Sequence, residues 1–382
     1  EWANLERLLC RFGRMDRDMG TPYPITRMIA INSDRSDMKV LLQDKLRNTF
    51  TQFQDQIIDR MPDDPQHILM ELPDRNGTGV ARVNIYSGKV SKEERVREGT
   101  REWISDGRGV VRLRLYYSSS STKWYYRAQQ DSNWELLRES KAKDGYDDYY
   151  PLGFADDPNE LMILKPHEGR MALWSVNLAD GLSEKLIYAH PEVDVKGPET
   201  LGKYGRLVAA AYDEDIPKVH YFDAKVSELH DRISEAIPDQ LINIYDETWD
   251  RKKYVVFAQS DQDPGTFYIL DTTNNSLGRL FKVYPNLEDM ALGQMQPVTY
   301  TARDEVEIPA YLTLPATNEP ADLPLVVLPH GGPESRDVFG FNWLAQFFAT
   351  KGYVVLQTNF RGSGGYGADW AGAVSYTHLT LP

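Results

Sequence analysis

The sequence predicts two folds in series: an N-terminally incomplete β-propeller of four-stranded blades, then the opening part of an α/β domain. Three observations carry this. A turn-and-strand pattern, Asp63-Asp64-Pro65-Gln66-His67-Ile68-Leu69-Met70, recurs as Asp156-Asp157-Pro158-Asn159-Glu160-Leu161-Met162-Ile163, and more loosely from Trp249-Asp250; both steps are 93 residues (63 to 156, 157 to 250). Half that offset is a unit of roughly 46 residues, the size of a propeller blade. Short apolar runs broken by Gly, Asp, Asn and Ser turns fill the space between the copies. Near the C-terminal end, Leu325–Gly367 reads strand, Gly-Gly turn, helix, strand, which is a βαβ unit.

The 382 residues allow two domains, and 41% hydrophobic residues supply a core. A net charge of −14 argues against nucleic acid and anionic membrane as main partners. A single cysteine, Cys10, excludes an intrachain disulfide, and no apolar run approaches membrane-spanning length. The chain begins at Glu1 without a charged-then-apolar leader. That start falls inside a repeat, so residues are expected to be missing before it, and the compartment stays open between cytoplasm and periplasm.

Within the repeat region, strands are expected at Ile68–Leu72, Ala81–Tyr86, Val110–Tyr116, Lys123–Arg127 and Trp134–Leu137. Further turn-then-strand starts lie at Asp106-Gly107 and Gly202-Lys203. The acidic pairs Asp63-Asp64, Asp147-Asp148 and Asp156-Asp157 sit at repeat boundaries, so they read as turn formers rather than acid–base groups or metal ligands. Tyr125-Tyr126 and Tyr149-Tyr150 read as strand and core residues. Gln52–Met61 and Val226–Ile237 read as short helices or irregular inserts. Of seven histidines, His67, His167, His190, His220 and His230 lie in this region without metal-ligand spacing.

Thr266–Leu270 is the last clear blade strand, and the final blade ends near Phe281. The expected division is therefore 1–281 propeller, 282–295 linker, 296–373 the start of the second domain, and 374–382 a tail. Val298–Ala302 and Ala310–Leu314 should form an antiparallel pair that opens the second sheet. Pro315–Pro324 is a solvated connection. Val326-Val327-Leu328 is a buried-type strand running into His330-Gly331-Gly332-Pro333. Trp343, Leu344, Phe347 and Phe348 share one helical face, and Gly352 sits where a C-cap is wanted.

A Gly-Gly turn directly after a strand leaves room for an atom to approach the peptide N–H groups. In α/β-hydrolases an HGGG-type turn supplies one N–H of the oxyanion hole. The motifs His330-Gly331-Gly332-Pro333, Asn359-Phe360-Arg361-Gly362-Ser363-Gly364-Gly365-Tyr366-Gly367 and Tyr311-Leu312-Thr313-Leu314-Pro315 together resemble the prolyl oligopeptidase family of serine peptidases, in its acylaminoacyl-peptidase and dipeptidyl-aminopeptidase-like branch. The resemblance implies hydrolysis of short peptides through an acyl-serine intermediate, with the propeller restricting access. It implies an α/β-hydrolase sheet, no cofactor and no metal. It carries over Gly332 as an oxyanion-hole N–H donor, with His330 and Gly331 shaping the turn.

Gly362, Gly364 and Gly367 also satisfy G-x-G-x-x-G, a weak dinucleotide signal here because a βαβ unit already precedes it. Arg361 reads either as an organiser of that loop or as a substrate contact, and the resemblance favours the first. No G-x-S-x-G elbow occurs anywhere in the sequence, so the Ser/Asp/His triad is absent and the chain as given should be inactive. The ending Val374–Pro382 resembles the translated read of a transposase sequencing adapter, which removes His378 as a candidate. An esterase on the same fold, or a non-catalytic propeller that binds partners, are the rival readings. Oligomeric state is open.

Overall fold

The computed structural model describes residues 1–42, 52–141, 149–316, 322–332 and 334–373. Asp147-Asp148, Pro333 and the tail 374–382 with His378 lie outside the described residues. The chain divides into two compact units, one of Glu1–Ile163 and Ser175–Lys185, the other of Leu164–Trp174 and Leu186–Pro382.

Most of the chain is a succession of small sheets in which strands follow one another in chain order. The first holds β1 (Arg7–Asp18), β2 (Thr21–Asn32) and β3 (Lys39–Val40), with β4 (Phe53–Gln54) parallel to β2. The second holds β5 (Ile57–Asp59), β6 (His67–Asp74), β7 (Gly77–Asn84) and β8 (Val90–Glu98). The third holds β9 (Thr100–Ser105), β10 (Val111–Tyr117), β11 (Ser121–Tyr126) and β12 (Glu135–Lys141). The fourth holds β13 (Tyr150–Phe154), β14 (Glu160–His167), β15 (Arg170–Asn177) and β16 (Ser183–Tyr188). In the fifth, β17 (Val195–Leu201), β18 (Arg206–Asp213) and β19 (Pro217–Tyr221) are followed by helix α1 (Ala224–Ala236). The sixth holds β20 (Leu241–Glu247), β21 (Lys253–Gln259), β22 (Thr266–Asp271) and β23 (Ser276–Lys282). From the second onward these sheets begin at Ile57, Thr100, Tyr150, Val195 and Leu241, a recurrence of roughly 46 residues.

The repeat has a physical cause in its aspartates. The Asp64 carboxylate accepts the Gln66 N–H at 3.0 Å, Asp157 accepts that of Asn159 at 2.8 Å, and Asp250 accepts that of Lys252 at 3.2 Å. Each is an Asx turn that reverses the chain ahead of a strand. Consecutive sheets share cores: Leu9, Met28 and Ala30 pack with Ile68, Met70 and Val83, and Leu201, Val208 and Ala209 pack with Ile242, Ile244 and Val256. In the fifth sheet a helix follows where the others carry a fourth strand. Asp223 caps α1 at its N-terminus, and Val226, Leu229 and Ile233 fill the sheet's core. The other expected insert, Gln52–Met61, is not helical; it supplies β4 and β5, because Ile57 and Asp59 pair with Met70 and Leu69 of β6.

The seventh sheet differs in kind. Its order is β24 (Gln294–Thr301), β25 (Glu307–Leu314), β27 (Val354–Thr358), β26 (Leu325–Val327). The first two pair antiparallel, as expected, and β26 lies parallel to β27 with Val326 opposite Val355. Helix α2 (Trp343–Ala349) links β26 to β27, and α3 (Ala368–Gly372) follows. The inward face of α2 is not the aromatic one. Ala345, Gln346 and Ala349 are buried, whereas Trp343 is 70% and Phe347 51% exposed. Gln346 decides this: its amide bonds the Gly293 N–H and carbonyl and the Asp261 carbonyl at 2.7–2.8 Å. The two alanines then let the helix close on β25 and β27. No helix among the described residues is long and apolar enough to cross a membrane.

Candidate functional site

Strand β26 runs into the His330-Gly331-Gly332 turn at its carboxyl end, the place where open α/β sheets put their ligand sites. The strand continues its pairing one residue further, through the Leu328 N–H and the Leu356 carbonyl at 2.8 Å. Both glycines are exposed. Gly332 has φ +134°, and a β-carbon there would lie 2.8 Å from the N atoms of Glu334 and Ser335. Gly331 meets nothing within 4 Å, so its space is open to a ligand. Among the described residues the Gly332 N–H has no hydrogen-bond partner.

The turn is braced from beneath. His330 Nδ1 lies 2.9 Å from the Gly331 carbonyl, which can only accept, so Nδ1 carries the proton. Nε2 is then the acceptor for the Ser363 hydroxyl, at 2.8 Å. The ring stacks on Phe360 with centroids 4.6 Å apart. Ser363 is fully buried, so this Ser–His contact is a strut, out of reach of a substrate carbonyl.

Asn359, also fully buried, accepts the Asp337 N–H at 2.8 Å and donates to the Asp337 carbonyl at 3.0 Å and the Tyr366 hydroxyl at 2.8 Å. Gln357 donates to one oxygen of the Asp337 carboxyl at 2.7 Å. The other Asp337 oxygen and the Gln357 carbonyl oxygen are buried without a partner among the described residues. Burial raises the Asp337 carboxyl above the usual carboxylate range, and the Gln357 bond offsets part of that.

The glycine-rich loop is explained by contact rather than by phosphate binding. A β-carbon on Gly364 would lie 2.4 Å from the Glu334 carbonyl oxygen, one on Gly365 2.6 Å from the Arg336 guanidinium, and one on Gly367 3.0 Å from the Gly169 carbonyl oxygen. Four of its N–H groups are engaged: Gly362 with Trp370, Ser363 with Phe360, Gly364 with Ser335, and Gly367 with the Asp194 carboxylate. Arg361 forms an ion pair with Asp304 in the β24–β25 turn, an organising contact for the loop. Among the described residues no group of three His, Cys, Asp or Glu side chains is placed to hold a metal ion.

Sequence reading named His330, Gly331 and Gly332, and the structure brings all three into one turn. It missed Ser363, Asn359, Arg336 and Asp337, which fix that turn. Two of these, Asn359 and Ser363, belong to the Asn-Phe-Arg-Gly-Ser motif, where a buried polar residue next to glycine was the available signal.

The profile of the prolyl oligopeptidase family matches residues 339–378. Dipeptidyl aminopeptidase BIII of Pseudoxanthomonas mexicana is 27% identical over 333 residues, covering 82% of this chain and 46% of that protein. The chain thus spans about half the length of this relative. A Mycobacterium tuberculosis puromycin-hydrolysing peptidase superposes with a TM-score of 0.61 at 16% identity, over 98% of this chain and 61% of the other. A structure from a study of two prolyl endopeptidases gives 0.62 at 14% identity, over 97% and 56%. At such identities the structures speak for the fold alone. Together with the three motifs and the turn geometry, these matches make the chain similar to the prolyl oligopeptidase family, most directly over residues 339–378.

Proposed function

We propose that the chain is part of a serine-type peptidase that hydrolyses short peptides through an acyl-serine intermediate. In this reading residues 1–281 are a β-propeller that restricts substrate access, 282–295 a linker, and 296–373 the start of an α/β-hydrolase domain. The recurrence of small sheets at blade length supports the propeller.

The observation that carries the reading is exposed Gly332, whose N–H has no hydrogen-bond partner among the described residues, at the carboxyl end of a parallel strand. When a serine attacks a peptide carbonyl, the oxygen gains negative charge. A fixed donor aimed at that oxygen stabilises the transition state more than the ground state. His330 and Gly331 shape the turn, and the bond from Ser363 keeps it in place before substrate arrives. The peptide substrate class rests on the names of the relatives.

The triad is proposed to reside in the longer protein, and the 382-residue chain alone to be inactive, since its sequence holds no G-x-S-x-G. The test is the complete reading frame, assayed on short peptides and on activated esters with and without a serine-directed inhibitor. Inhibitor-sensitive peptide hydrolysis is expected. Turnover of esters only would favour an esterase, and a folded protein inert to both would favour a binding propeller.

A further inference from the structure

The turn that carries Gly332 is held on a second side, by a residue that the family motifs do not mark. Arg336 donates to the Asp213 carbonyl at 3.3 Å and the Glu214 carbonyl at 3.4 Å, both at the tip of the β18–β19 hairpin. The same guanidinium donates to the Tyr366 hydroxyl at 3.0 Å and lies 4.2 Å above the Tyr366 ring. Gly365 has no side chain, and any β-carbon there would strike Arg336. Its immediate neighbour, Asp337, is fixed by Asn359. A planar, always-charged fork reaches two carbonyls and a hydroxyl at once and stacks on an aromatic face, which a lysine cannot do.

We infer that Arg336 is a positioning residue: it registers the Gly332 turn against the β18–β19 hairpin of the repeat region, so that the direction of the oxyanion donor is set by both. Its kinetic consequence rests on the peptidase reading above; the mechanical coupling does not. Tyr311 belongs to the same contact: its hydroxyl donates to the Asp215 carbonyl of the hairpin at 2.9 Å, and its phenol also interacts with the Arg336 guanidinium.

Hydrogen exchange on this chain tests the coupling. Arg336→Ala should speed exchange on the order of tenfold both at the hairpin 213–217 and at the Asp337 and Gly364 amides, with Arg336→Lys between it and wild type. Unchanged exchange at Asp337 and Gly364 in Arg336→Ala would overturn the proposal. In the complete enzyme, Arg336→Ala should lower kcat by roughly 10- to 100-fold with KM nearly unchanged. A raised KM with unchanged kcat would mean general docking and overturn it. A folded wild type without acyl transfer would remove the peptidase reading, while the exchange result would still decide the coupling.

Discussion

Replacing Gly332 by alanine separates a donor that acts in the reaction from a glycine that merely turns the chain. At φ +134°, the new methyl would sit 2.8 Å from two backbone nitrogens, Glu334 N and Ser335 N. Neither is the end of a flexible side chain, so the turn itself must move. Holding a non-glycine residue in such a region costs about 1–3 kcal/mol, and the displaced N–H loses its aim. Losing one oxyanion donor costs roughly 100- to 1000-fold in kcat, about 2.7–4 kcal/mol. Gly331 is the matched control: nothing lies within 4 Å of its added β-carbon, so Gly331→Ala should change stability by no more than about 0.5 kcal/mol. The assay is kcat and KM of the complete enzyme for both variants, alongside thermal unfolding of this chain. A folded Gly332→Ala enzyme with wild-type kcat would refute the argument, as would an equal loss of stability in the two variants.

Ser363→Ala removes the donor to His330 Nε2 and leaves a half-buried acceptor unpaired, which should cost about 0.5–1.5 kcal/mol by denaturant unfolding; a neutral result would mean the strut bears no load. Asp337→Asn should stabilise the chain at neutral pH and hardly at all near about pH 3.5. The sign follows from burial: the folded carboxyl holds its proton more tightly than the unfolded one, so wild-type stability falls as pH rises through the raised value, and an amide does not titrate. At this partly exposed position the gain should be about 1 kcal/mol or less, read as the difference in melting temperature across pH; parallel pH profiles would contradict it. Val327→Lys adds a charge to an edge strand whose side chain is 55% exposed, so it should reduce self-association in light scattering with little loss of stability; unchanged association would point to another surface.

How far the fold could be read ahead of the structure depended on whether the signal was local. Asp64, Asp157 and Asp250 form their turns with residues two positions on, so the repeat was legible. The βαβ unit was legible for the same reason. Helix α2 was not. Its aromatic stripe at Trp343 and Phe347 pointed to a buried face, but the helix is docked by Gln346 through Asp261 and Gly293, partners far away in sequence. The α1 helix was legible as an insert, but its burial in the core of the fifth sheet was not. At the site, glycines announced a turn, and Ser363 and Asn359 stayed hidden because a buried polar residue shows its worth only through its partners.

The glycine loop also sets how this region tolerates change. Gly364 meets the carbonyl of Glu334 and donates to that of Ser335, so the loop recognises main chain and ignores which side chains residues 334 and 335 carry. A substitution scan should therefore be lopsided across this contact. Glu334 and Ser335, both exposed, would accept most residues, while positions 364 and 365 would accept almost none. Variation in the surface next to Gly332 can then accumulate on one side of the contact without disturbing the peptide geometry that the other side holds fixed.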